Sequence, residues 1–141
     1  LIPLGELRRV KDTPFDFTTP MTIGARMNTP DEQLARARGY DHNWILKKST
    51  ADFALAGEVY EPMTGRMMTV HTTQPGVQIY SGNFLDGSLR GKNRVPYPKH
   101  AGFCFETQHF PDSPNHPSFP STVLEPGSIL RERTVYRFGV R

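Results

Sequence analysis

Thiols, tryptophan and long apolar runs are all scarce in this 141-residue chain, which has one Cys and one Trp. Cys104 has no second thiol to pair with, so an internal disulfide is excluded, and a lone thiol suits a reducing compartment such as the cytoplasm. No apolar stretch approaches the ~20 residues needed to cross a bilayer. Metal-site spacings are missing too: His71, His100, His109 and His116 with Cys104 fall into no H-x-x-x-H, CxxC or H-E-x-x-H arrangement. No Gly-x-Ser-x-Gly elbow supports Ser-His-Asp catalysis, and no Gly-rich loop is built to cradle a phosphate. The net charge of +3 is spread along the chain, and Glu132 separates Arg131 from Arg133. Nucleic-acid binding, which concentrates basic residues on one element, is not expected.

Residues Leu1 to Val10 lack the apolar core of a signal peptide and already carry Arg8 and Arg9. With no initiating Met either, the expectation is a chain that begins inside a longer product or after processing. That leaves secretion or the periplasm open beside the cytoplasm.

Proline and glycine are plentiful: thirteen and twelve. They interrupt the chain too often for a helical bundle and favour short strands joined by turns. Alternation then predicts the strands. Phe53, Leu55, Gly57 and Val59 alternate with Asp52, Ala54, Ala56 and Glu58. After the turn Pro62-Met63-Thr64-Gly65, Met67, Thr69 and His71 alternate with Met68, Val70 and Thr72, which makes a hairpin. Val77 to Tyr80 and Gly102 to Glu106 read as further strands, and Tyr136, Phe138 and Val140 share one face of the last. One short helix is expected, with Thr29 as N-cap, Pro30 at its first position, Glu32 completing a capping box and Gly39 as its stop. The Pro- and His-rich stretch from Pro111 to Pro126 reads as loop. The fold class is all-β, a sandwich of Greek-key or meander type.

Three polar clusters could carry chemistry. Asp41, His42 and Asn43 stand immediately before the apolar run Trp44-Ile45-Leu46. They either make turn hydrogen bonds or, in the functional reading, let Asp41 accept from the hydroxyls of a polyol. Gln78 follows the turn Pro75-Gly76; its amide both donates and accepts, as a sugar hydroxyl requires, although a strand Gln is often simply exposed. Glu106 ends the aromatic strand of Phe103 and Phe105. Partial desolvation there would raise its pKa toward the range of a general base; the alternative is a carboxylate emerging into solvent or paired with Lys99 or an Arg.

These clusters, in this order, resemble the galactose mutarotase (aldose 1-epimerase) family. The resemblance runs through Gly39-Tyr40-Asp41-His42-Asn43, the stretch from Thr73 to Gly87, the stretch from Tyr97 to Gln108, and Phe110 to Asn115. It implies that residues 1–141 are the C-terminal portion of a large β-sandwich with an open cleft for an aldohexose. It also implies Glu106 as catalytic base, Asp41 and Gln78 as holders of sugar hydroxyls, and no cofactor or metal. The reaction implied is interconversion of α and β anomers by acid–base ring opening. The family's acid, a histidine on an Asn-His segment of the first half, has no counterpart here. The chain is therefore expected to be inactive without an N-terminal portion, on the same or a separate chain. A non-catalytic carbohydrate-binding module on the same scaffold is the alternative. A relative acting on a hexose 6-phosphate would need Arg or Lys aimed at the phosphate, which the motif segments do not clearly supply.

Overall fold

A computed structural model describes residues 1–48 and 52–141. Most of its regular structure is sheet. In chain order the elements are a short helix α1 (Glu32–Ala37) and strands β1 (Asp41–Ile45), β2 (Ala54–Tyr60), β3 (Arg66–Thr72), β4 (Gly76–Tyr80), β5 (Cys104–Gln108) and β6 (Thr134–Val140). They form two three-stranded sheets, ordered β1-β4-β5 and β2-β3-β6. The chain thus leaves the first sheet for the β2–β3 hairpin, returns for β4 and β5, and leaves again for β6. The all-β expectation with one short helix matches this architecture. No helix of the described residues is long and apolar enough to cross a membrane.

The chain divides into two compact units, residues 1–42 with 79–105 and residues 43–78 with 106–141, so the boundary falls within β1, β4 and β5. In the first unit, α1 starts at Asp31 rather than Thr29. Asp31 is extended (φ −142°, ψ 133°), and its Oδ1 accepts from Gln33 N at 2.8 Å and Leu34 N at 3.2 Å. A carboxylate beside the positive helix end is the stronger cap, and it overrides the Thr-Pro signal upstream. Arg38 turns left-handed at the other end (φ 59°), and Gly39 N–H donates to Leu34 O at 3.0 Å, closing the last turn as Gly39 predicted. Leu34, Ala37 and Tyr40 are buried. Phe15 and Phe17 pack edge-on to the Tyr40 ring at 5.8 and 5.4 Å. The Tyr40 hydroxyl donates to Pro14 O at 2.8 Å.

In the second unit, β3 lies between β2 and β6, antiparallel to both, and Val70 and Thr72 on its inner face are fully buried. Burial of Val70 contributes roughly 1.5–3 kcal/mol. The hairpin is present with its turn as predicted: Glu61 N–H donates to Arg66 O at 2.8 Å, and Gly65 supplies φ 71°. Its alternation is not as predicted. Leu55 pairs with His71 but Gly57 pairs with Val70, so Ala56 is an extra residue, a β-bulge. The bulge reverses the phase upstream, leaving Leu55 exposed while Gly57 and Val59 face inward. The predicted strand over Tyr136, Phe138 and Val140 is β6, an outer strand whose three apolar side chains are exposed. Hydroxyls tie β5 to this sheet: Thr134 Oγ1 lies 2.6 Å from Thr107 Oγ1 and 2.9 Å from Thr72 Oγ1. The stretch from Pro111 to Pro126 holds no strand, as expected; it carries one 3-10 turn at Ser113–Asn115.

Candidate functional site

Strand β4 is the middle strand of its sheet, and Gln78 sits at its centre, half-buried. The neighbouring strands add two more half-buried amides, Asn43 from β1 and Gln108 from β5. Gln108 Nε2 lies 3.4 Å from Asn43 Oδ1 and 3.5 Å from Gln78 Oε1, a shared, long donor contact. Gly76, also on β4, is required by the same row: a Cβ there would lie 2.8 Å from both polar atoms of the Asn43 amide. An amide row of this kind presents donors and acceptors side by side, the pattern that vicinal hydroxyls need. Asn43 and Gln108 were quoted within the sequence motifs but not singled out. Only strand order and register bring them beside Gln78.

Glu106 is two residues before Gln108, hence on the same face of β5. It is the middle residue of that strand, not its end: Gly102 and Phe103, assigned to the strand by their alternation, belong to the approach, where His100 is left-handed (φ 64°) and Ala101 N–H donates to Pro98 O at 3.0 Å. The expected desolvation is absent as well. Glu106 is exposed and has no ion-pair or hydrogen-bond partner among the described residues, Lys99 included. An exposed carboxylate is an acceptor open to a hydroxyl.

Asp41 lies in the first unit as the opening residue of β1 rather than before it, half-buried. His42 Nδ1 accepts from Asp41 N–H at 3.0 Å. The His42 ring meets the Phe15 ring edge-to-face, centroids 4.7 Å apart. Burial lowers the His42 pKa, against the Asp41 and Asp31 carboxylates, which favour the cation.

The first unit holds a second polar cluster, committed to structure. Asn83 Nδ2 donates to Ala37 O and Tyr40 O, both at 2.8 Å. Ser81 Oγ accepts from Tyr40 N at 3.0 Å and donates to Asn83 Oδ1. Ser81 and Asn83 are 2% and 3% exposed, which identifies them as framework. His100 Nδ1 joins Ser81 O at 2.7 Å; a carbonyl only accepts, so this nitrogen is protonated. Among the described residues no group of three or more His, Cys, Asp or Glu is arranged to hold a metal ion.

Comparison with known proteins gives these residues a setting. The family model for aldose 1-epimerase matches residues 1–137. The chain is 46% identical over 140 residues to the galactose mutarotase of Homo sapiens, covering 99% of this chain and 39% of that protein. It is 34% identical over 139 residues to the aldose 1-epimerase of Escherichia coli (strain K12), covering 97% and 40%. A solved structure, the GalM/aldose epimerase homologue from C. elegans, aligns with a TM-score of 0.82 at 25% identity, covering 99% of this chain and 40% of that one. The chain therefore spans about two fifths of the length of these relatives. By this match and by its two sheets, the chain belongs to the aldose 1-epimerase family.

Proposed function

We propose that this chain supplies the base and part of the sugar-holding surface of an aldose 1-epimerase acting on aldohexoses such as galactose and glucose. The observation that carries the reading is the amide row Asn43, Gln78 and Gln108 with Glu106 on the same face of β5. Glu106 takes the proton of the anomeric hydroxyl. An acid protonates the ring oxygen, and the C1–O5 bond breaks to give the open aldehyde. Rotation about C1–C2 and reclosure then deliver the other anomer, with the proton returned. Positioned acid and base groups each contribute typically ~10²–10⁴-fold to such a proton transfer. Gln78 holds a hydroxyl that both donates and accepts, and Asp41 accepts from another. The acid is a histidine outside these residues, on the N-terminal portion of the same enzyme, and the chain by itself is inactive. Residues 1–141 are on this reading the C-terminal part of one sandwich domain. A cytoplasmic setting suits the exposed thiol of Cys104.

The exposure of Glu106 favours a second reading, sugar binding without turnover. Polarimetry on freshly dissolved α-galactose separates the two. The 141-residue chain should leave the spontaneous rate unchanged, and the full-length protein should accelerate it. Turnover by the 141-residue chain would remove the need for an outside acid. A full-length protein that binds galactose but leaves the rate at background would establish the binding-only reading.

A further inference from the structure

Among the described residues β1 lies beside β4 at one end of its sheet, so alternate backbone groups of β1 face away from β4. The Tyr40 carbonyl accepts from Ser81 N–H at 3.0 Å, which turns the next N–H, that of Asp41, to the open side. There the His42 ring meets it, Nδ1 accepting at 3.0 Å. A backbone N–H can only donate, so Nδ1 carries the lone pair and the ring proton resides on Nε2. The ring is held by Phe15 at 4.7 Å, and Phe15 by Tyr40 at 5.8 Å. Aromatic packing thus holds a half-buried imidazole whose one acceptor atom is directed at the backbone N–H of Asp41, a proposed sugar-holding residue.

We propose that His42 is a positioning residue for Asp41: its neutral, Nε2-protonated ring fixes the backbone from which the Asp41 carboxylate reaches the sugar. The importance of Asp41 for the sugar rests on the function proposed above; the tautomer and its hold on the backbone do not. The charged groups acting on the ring are Asp41 beside it and Asp31 ahead of α1, both favouring the cation; burial opposes them and dominates. Neutral His42 therefore persists somewhat below the ordinary imidazole range. Protonation at lower pH removes the lone pair and releases Asp41 N–H.

The test uses the full-length protein. In long-range ¹H–¹⁵N spectra at neutral pH, His42 should show the Nε2–H tautomer; an Nδ1–H signal overturns the proposal whatever the protein's activity. His42→Phe keeps the ring and its Phe15 contact but removes the acceptor. It should raise the KM for galactose roughly fivefold, the equivalent of one hydrogen bond, with kcat within about twofold. His42→Asn, whose amide oxygen falls near the place of Nδ1, should recover most of that affinity. Equal losses in both variants, or a KM unmoved in His42→Phe, would overturn it. Should either variant fail to fold, the wild-type profile decides: KM should climb as the His42 imidazolium signal grows, and a KM flat through that titration would overturn the proposal. If no mutarotation is found at all, the same comparisons are read from the dissociation constant for galactose. No galactose binding by the wild type would defeat both the function and this role for His42.

Discussion

Two polar clusters, one flanking β1 and β4 and the other within β1, β4 and β5, behave in opposite ways. In one unit, Tyr40, Ser81 and Asn83 are buried and their hydrogen bonds run to backbone carbonyls at 2.8 Å or join one another. In the other, Asn43, Gln78 and Gln108 are half-buried and meet through long contacts of 3.4 and 3.5 Å, with Glu106 exposed on the same strand face. The first cluster holds the chain after α1 against the segment that follows β4, where unsatisfied carbonyls would be costly. The contacts of the second are longer and its side chains less buried. Residue type alone does not decide the matter, since an asparagine stands in each. Burial and bond length do.

That contrast can be attacked at each end. Glu106→Gln should cost the largest amount, a loss of about 10²–10⁴-fold in mutarotation by the full-length protein, with an unchanged circular dichroism spectrum and melting temperature. Retained turnover would take the base role away from Glu106. Asn83→Ala should do the reverse, removing the amide donor of the Ala37 carbonyl and leaving the Tyr40 carbonyl to Ser81. The expected loss is about 2–4 kcal/mol of stability in urea unfolding, and a loss below about 1 kcal/mol would show that water replaces the amide. Gly39→Ala attacks the same frame by collision. The new Cβ would run into Asn83 Oδ1 and lie 2.8 Å from Ser81 Oγ, at a φ of 142° that side chains avoid, so a loss of at least about 1 kcal/mol is expected. Gln108→Ala should raise the KM for galactose several-fold while moving stability by less than about 0.5 kcal/mol; a larger stability loss would reclassify the amide row as framework.

The smallest effect is expected at a carboxylate belonging to neither cluster. Glu61 accepts from Thr64 Oγ1 and from Met63 and Thr64 N–H in the hairpin turn, and these bonds lower its pKa. A lowered carboxyl pKa gives stability that is present above the unfolded value of 4.5 and fades as pH falls through the folded one. Glu61→Gln should therefore lower the melting temperature slightly at pH 7 and not at all at pH 3. Equal shifts at both values would mean that charge is irrelevant there.

Much of this was legible in the residues. Alternation located β3, β4 and β6, the Pro-Met-Thr-Gly stretch its turn, and Gly39 the helix stop. Three features were hidden for definite reasons. The sequence pattern puts the helix start at Thr29, and only the extended backbone at Asp31 shows its carboxylate brought onto two N–H groups. Alternation at Gly102 and Phe103 does not reveal that the left-handed His100 delays the strand, so Glu106 was read as a strand end when it is a strand centre. The amide row depends on which residues of three strands lie side by side, and local pattern carries no information about register. Asp41, Gln78 and Glu106 were proposed from motif, and Asn43 and Gln108 join the proposal only through the sheet.

The extra residue at Ala56 has a consequence for how the hairpin folds. A regular two-stranded ribbon can pair with its partner displaced by two residues and still keep its apolar side chains on one face. With the bulge in place such a slide would carry the two-against-one step away from the Leu55–His71 and Gly57–Val70 pairs and put Val59 out of line with Met68. Ala56 thus acts as a ratchet tooth, permitting one alignment of β2 on β3 and penalising its neighbours. Deleting it would restore even alternation and, with it, the freedom to misalign.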